Sequence, residues 1–213
     1  IIISSISNGT TKIENILKSE DVLNTLKAFK IMGVRVEEIN NDILIYGNGL
    51  NSLKKPNEDI YLGNSGTSAR LLIGLLASQN FDSVLKGDKS LSSRPMKRIT
   101  SLLEKYMGAS FETSNGCLPI KILGNNKLKN YSDGIVIQIP SAQIKSGIIL
   151  ASLNTKGATK IIEQNITRDH TEIMLKSFGA DIQAYDYGKN KIINITGQKE
   201  LKSKNIRVPS DLS

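Results

Sequence analysis

Apolar residues along this chain follow two periods. Leu23, Leu26 and Phe29 recur at helical spacing within residues 22–32, and Ile99, Leu102, Leu103 and Tyr106 do so within residues 96–107. Short runs at 10–14, 83–86, 159–162, 43–45 and 192–195 read as strands. Two segments, 71–77 and 148–151, are apolar nearly all round, the pattern of a helix buried on every side. The first residues, Ile1-Ile2-Ile3-Ser4-Ser5, read as a helix entered partway along.

The pattern repeats. Gly33, Gly108 and Gly179 each close an amphipathic helix, at spacings of 75 and 71. Gly47, Gly124 and Gly197 each follow a strand pair, at spacings of 77 and 73. Gly9-Thr10-Thr11-Lys12-Ile13 returns as Gly157-Ala158-Thr159-Lys160-Ile161, 148 residues later, which is twice 74. Three landmarks give one period, so the chain holds three copies of a unit of about 74 residues.

Each unit reads as βαβαββ. A short strand leads to a helix opened by small polar residues: Gly66-Thr67-Ser68, Ser141-Ala142-Gln143, and Ser210-Asp211. A second helix starts near Ser19, near Pro95, and at Asp169 with Glu172 three residues on. The expected architecture is α/β. One helix per unit packs centrally, the sheets lie outside, and the units close around a pseudo-threefold axis. The expected division is 1–58, 59–133 and 134–213 within a single lobe, joined by short linkers at 51–57 and 125–133. The first and last units are incomplete and complementary, so the repeat is whole only when the chain is read as a circle. That predicts a second lobe attached through two crossings.

Composition narrows the function. Hydrophobic residues are 39% and no apolar run nears the roughly 18 residues of a membrane span. The N-terminal segment has no basic flank and no cleavage site, so it does not read as a signal peptide. One cysteine, Cys117, and one histidine, His170, argue against a disulfide and against a zinc site, and fit a reducing compartment. The net charge of +8 favours anionic partners. The lysines are scattered, which fits a solvated surface better than a nucleic-acid stripe.

Four motifs carry candidate chemistry. Gly63-Asn64-Ser65-Gly66-Thr67-Ser68-Ala69-Arg70 is a glycine-rich turn into a buried helix, where free N–H groups and Arg70 suit an anion. On its own, the same turn is an ordinary tight connection with an N-cap. Gly87-Asp88-Lys89-Ser90-Leu91-Ser92-Ser93-Arg94-Pro95-Met96 places Arg94 before a helix start, against the macrodipole unless an anion balances it. A surface pairing of Arg94 with Asp88 is the alternative. Ser141-Ala142-Gln143 opens the second buried helix, its serine serving either as cap or as oxyanion ligand. Thr167-Arg168-Asp169-His170-Thr171-Glu172 opens the last long helix; its lone histidine reads as structural rather than as a catalytic base. Symmetry puts these helix starts on one face with Arg70, Arg94 and Arg168, a face suited to phosphates or carboxylates.

In the same order, GNSGTSAR, GDKSLSSRPM, SAQIK and TRDHTEIMLKSFGA resemble the motifs of the EPSP synthase family over essentially the whole chain, and Val208-Pro209-Ser210-Asp211 resembles that family's crossing between lobes. The RDHTE form resembles one bacterial subgroup. The resemblance implies an inside-out α/β barrel lobe. It implies transfer of enolpyruvyl from phosphoenolpyruvate to shikimate 3-phosphate, with no metal or other cofactor. It implies that Ser141, Gln143, Thr167, Arg168 and the Ala142 backbone hold shikimate 3-phosphate. Asn64, Gly66, Thr67, Arg70 and Arg94 would border phosphoenolpyruvate, with room at Gly66 for glyphosate. The family's Lys-Ser-x-Ser-x-Arg segment is absent, and its acid/base residues belong to the other lobe, so no catalytic residue is expected here and the chain alone is expected to be inactive. The expectation is a cytoplasmic monomer that binds neither membrane nor nucleic acid. Three rivals remain: the sister lobe acting on UDP-N-acetylglucosamine, a basic nucleic-acid-binding domain, and a purely structural repeat.

Overall fold

The chain begins with helix α1 (Ile2–Ser5), strand β1 (Asn8–Glu14), helix α2 (Glu20–Ile31) and the hairpin β2 (Arg35–Ile39) and β3 (Asp42–Asn48). Next come β4 (Ile60–Tyr61), α3 (Gly66–Ala77), β5 (Ser83–Lys86), a short α4 (Lys89–Ser92) and α5 (Lys97–Leu102). A π-helical turn (Leu103–Met107) continues α5, followed by β6 (Ser110–Ser114) and β7 (Cys117–Leu123). The last stretch holds β8 (Ile135–Ile137), α6 (Ala142–Ser152), β9 (Ala158–Glu163), α7 (His170–Ser177), β10 (Asp181–Tyr187), β11 (Asn190–Thr196) and β12 (Ile206–Arg207). This computed structural model describes residues 1–124 and 127–209. The helix expected to open at Ser210-Asp211 lies outside the described residues.

Three four-stranded sheets share one topology: β12-β1-β3-β2, β4-β5-β7-β6 and β8-β9-β11-β10. In each, the first strand pairs parallel to the second and the rest are antiparallel. The first sheet takes its parallel strand from the far end of the chain, with Ile13 opposite Ile206. Strand β12 thus completes the first four-stranded sheet. Strands β3 and β7 alternate buried and partly exposed residues, as sheets with one covered face must.

The covered faces meet buried helices: β3 packs against α1, β7 against α3, and β9 and β11 against α6. Leu72, Ile73, Leu75 and Leu76 of α3 and Ile148 and Ile149 of α6 are fully buried with Ile43, Ile45, Leu85, Ile120, Ile122, Ile193 and Ile195 of the sheets. The repeat glycines explain the close fit. A Cβ on Gly47 would stand 2.2 Å from the Ser7 carbonyl oxygen and 2.3 Å from that of Ser4. On Gly197 it would stand 2.2 Å from Thr155 O and 2.4 Å from Ser152 O, and on Gly124 it would stand 2.1 Å from Phe81 O. Each sheet lays a bare backbone against the end of a buried helix. Gly33, Gly108 and Gly179 have φ of +86°, +74° and +88°, the left-handed closure that a helix end favours.

Three details differ from expectation. Leu23 is exposed, and the inner face of α2 is instead Thr25, Leu26, Ala28 and Phe29. The helix expected over 96–107 changes from α to π at Leu103, which adds a residue to the turn before Gly108. Within GDKSLSSRPM stands α4, which periodicity missed because one turn is too short to show a period.

Candidate functional site

The turn into α3 is held by a chain of hydroxyls. Ser65 caps the helix, its Oγ accepting from Ser68 N–H at 3.2 Å and donating to Ser68 Oγ at 2.9 Å. Ser68 Oγ in turn pairs with Thr25 Oγ1 of α2 at 2.7 Å. On this fixed turn Gly66 lies beneath two guanidinium groups. A Cβ there would stand 3.0 Å from Arg70 Nη1 and 3.1 Å from Arg94 Nη1. Arg70 donates to the Gly66 carbonyl at 3.3 Å, while Arg94 donates to Asn64 Oδ1 and reaches Ser90 Oγ at 3.4 Å. Partial burial, and then the neighbouring charges of Arg94 and Arg98, hold the Arg70 pKa below the ordinary arginine value. Arginine remains charged regardless, so two cations meet at the α3 start with no carboxylate among these side-chain contacts.

Helix α6 begins beside them. Ser141 caps it, accepting from Ile144 N–H at 3.3 Å, and Ala142 is its first residue. Gln143 Oε1 accepts from Arg70 Nη1 at 2.7 Å, and its Nε2 donates to Thr67 Oγ1 at 2.8 Å. One amide thus ties the α6 start to the α3 start. Asn64, Gly66, Thr67, Arg70, Arg94 and Gln143 form one connected group.

Thr167 and Arg168 join from the other side, through α6. Lys145, one turn below Ser141 and fully buried, donates to Glu163 Oε2 and to the Arg168 carbonyl, both at 2.9 Å. It also pairs with Glu172 Oε1 at 2.8 Å. Thr167 Oγ1 donates to the other Glu163 oxygen at 2.5 Å. The Arg168 side chain is exposed, as is His170 at the start of α7.

Comparison with known proteins settles the lineage. The family profile described as EPSP synthase (3-phosphoshikimate 1-carboxyvinyltransferase) matches residues 1–213. The chain belongs to the EPSP synthase family. It is 51% identical over 213 residues to the 3-phosphoshikimate 1-carboxyvinyltransferase of Ruthia magnifica, covering all of this chain and 47% of that one. It is 45% identical over 217 residues to the Streptococcus agalactiae protein of the same name, covering all of this chain and 49% of that one. The EPSP synthase structure from Acinetobacter baumannii superposes with a TM-score of 0.91 at 44% identity, over 99% of this chain and 46% of that one. The chain spans about half the length of these relatives, and its fold is that of one EPSP synthase lobe.

For an EPSP synthase lobe, several sequence inferences change. Asp88 does not pair with Arg94; its carboxylate caps α4 by accepting from Leu91 N–H at 2.7 Å. Arg94 lies just past the end of α4 and three residues before α5, so the macrodipole at a helix start is not what makes it unusual. Asp169 occupies the N-cap of α7 with no side-chain cap bond, and Glu172 turns inward to Lys145 instead of completing a capping box. Lys145 and Glu163 were missed, and Glu172 was read only as a residue of the helix start. The only sequence signal was a lysine inside a largely apolar helix, and with 27 other lysines and arginines scattered along the chain nothing marked it out. Among the described residues no group of three or more His, Cys, Asp or Glu is placed to hold a metal ion, and no helix is long and apolar enough to cross a membrane.

Proposed function

We propose that this chain is the shikimate 3-phosphate-binding lobe of an enzyme that transfers the enolpyruvyl group of phosphoenolpyruvate to shikimate 3-phosphate and releases phosphate, a step of aromatic amino acid biosynthesis. The observation that carries the reading is the Gln143 amide, bonded at once to Arg70 and Thr67. It lies between two sets of donors. On one side Asn64, Gly66, Thr67, Arg70 and Arg94 border phosphoenolpyruvate, with guanidinium forks matched to its carboxylate and phosphate. On the other side Ser141, the Ala142 backbone, Thr167 and Arg168 receive shikimate 3-phosphate at the α6 start. The Thr167 hydroxyl donates a hydrogen bond to Glu163 in the free lobe, and its rotation redirects that bond to a phosphate oxygen.

The same chain is divided into three repeats, 1–58, 59–133 and 134–213, and its partner is a second lobe of similar size that supplies the acid/base residues. The enzyme works in the cytoplasm as a monomer. Transfer requires the two lobes to close, excluding water and completing the charge-stabilising shell. Three or four charge-assisted hydrogen bonds of roughly 1.5–3 kcal/mol each stand against an association cost of roughly 4–15 kcal/mol. The lobe alone therefore binds weakly, around millimolar, and is inactive. Gly66, which puts no side chain beneath the Arg70 and Arg94 guanidinium groups, leaves room for glyphosate in the assembled site, where it competes with phosphoenolpyruvate.

Titrations of the chain with three ligands separate the alternatives. Shikimate 3-phosphate produces saturable amide shifts at the α6 start, whereas UDP-N-acetylglucosamine and random duplex DNA at low salt produce none. Saturation by either of the latter, with shikimate 3-phosphate inert, overturns the reading.

A further inference from the structure

Lys145 is the least expected residue of the fold. Its side chain has no exposed surface, and its neighbours on α6, Ile144, Ile148 and Ile149, are buried isoleucines. Burying a lysine carries a heavy desolvation cost, and an apolar side chain of similar volume is commonly no worse for stability. What the lysine adds is what its donors hold. Its ammonium group meets three separate elements: the Glu163 carboxylate at the end of β9, the Arg168 carbonyl in the following loop, and Glu172 on α7. Through Glu163 it also fixes Thr167, whose hydroxyl takes the second carboxylate oxygen. Its own backbone N–H bonds to the Ser141 carbonyl at 3.1 Å, so the anchor sits directly under the α6 start.

Resting on the reading of the site given above, we propose that Lys145 is a positioning residue. It sets the Thr167-Arg168 loop in register with Ser141, Ala142 and Gln143, so that one phosphate group meets donors from both. Lys145 touches no substrate. It acts because the two halves of the phosphate site come from separate elements: Lys145 bonds the Arg168 carbonyl of that loop, whereas Ser146 Oγ pairs with Thr171 Oγ1 at 2.6 Å only beyond it, in the first turn of α7.

The test uses the 213-residue chain in three forms. One is the wild type and one is Lys145→Met. The third is the triple variant Lys145→Met/Glu163→Gln/Glu172→Gln, whose network is neutral and of nearly unchanged volume and so keeps the fold safe from stranded carboxylates. Two readouts are taken: amide hydrogen exchange in the free chain and affinity for shikimate 3-phosphate by NMR titration. A displacement of about 1 Å at a remote support can cost on the order of 100-fold in a site's function. The expected result is therefore an affinity loss of roughly tenfold or more in the triple variant, with faster exchange at Thr167 and Arg168. Exchange at Thr67, Ser68 and Arg70 stays as in the wild type. Glu172→Gln alone keeps the Lys145 bond to the loop and keeps wild-type affinity. If the triple variant folds and binds shikimate 3-phosphate within about twofold of the wild type, the positioning role is overturned while the site reading stands. If the wild type itself shows no response, the site reading fails and the proposal falls with it. Should Lys145→Met alone fail to fold, the triple variant decides.

Discussion

Gly74 of α3 and Gly147 of α6 meet backbone to backbone. A Cβ on Gly74 would stand 1.9 Å from the Gly147 carbonyl oxygen, and one on Gly147 would stand 2.8 Å from the Arg70 carbonyl oxygen. This contact brings the two buried helices close enough for Gln143 to bond Thr67 and Arg70 across their starts. Packing in the core and geometry at the surface are thus one fact.

Gly74→Ala is expected to force the helices apart, since the obstruction is backbone and has no rotamer to yield. Overpacking of this kind costs about 1–3 kcal/mol or more. Urea unfolding of the variant should show a lower midpoint with an unchanged slope. A midpoint equal to the wild type would mean that the helices are not in contact as described.

The two families of repeat glycines should fail for different reasons. Ala at Gly47, Gly124 or Gly197 meets a carbonyl oxygen within 2.1 to 2.2 Å, so all three should destabilise by a similar overpacking cost. At Gly108 and Gly179 nothing lies within 4 Å, and only the positive φ resists a side chain. Ala there should cost about 1–2 kcal/mol and Asn distinctly less. Asn at Gly124 should be no better than Ala. Denaturation midpoints of the eight variants check the distinction.

Much of this fold was legible because three copies repeat each signal. The helix-closing glycines and the strand before each buried helix could be counted without structure, and three sheets of one topology match the period that the count implied. Periodicity did less well where one turn decides the outcome. It placed Leu23 inside although it is exposed, and it missed α4. The site divides in the same way. Motif order located Gly66, Thr67, Arg70, Arg94 and Gln143, which do form one connected group. The support beneath Thr167 and Arg168 was hidden. Lys145, Glu163 and Glu172 come from three elements, and no local pattern says that a buried lysine has two carboxylates waiting for it.

The arginine cluster should respond to anions. With Arg94 and Arg98 both repelling Arg70, Arg94→Ala is expected to leave unfolding stability within about 0.5 kcal/mol of the wild type. Bound ligand stabilises by RT ln(1 + [L]/Kd), about 1.4 kcal/mol at ten times Kd. Thermal melts in rising phosphoenolpyruvate should therefore climb for the wild type and climb much less for Arg94→Ala. Equal slopes would remove Arg94 from the anion site.

Removing the ammonium group alone should be severe. Lys145→Ala leaves Glu163 and Glu172 facing each other without a cation, and breaking a buried pair in this way costs about 3–5 kcal/mol. Glu172→Gln should cost much less, because the hydrogen bonds to Glu163 and Arg168 persist. Urea denaturation of both variants measures the difference; a loss below about 1 kcal/mol for Lys145→Ala would show that the buried network contributes little.

The most direct test is a titration of the 213-residue chain with shikimate 3-phosphate, followed by amide NMR and repeated with Arg168→Ala. Saturable shifts centred on Ser141, Gln143 and Thr167, lost or much weakened in the variant, are what half of an enolpyruvyl transferase site predicts. Shifts that fail to saturate at many millimolar, or that persist unchanged without Arg168, would contradict the assignment of this face to shikimate 3-phosphate.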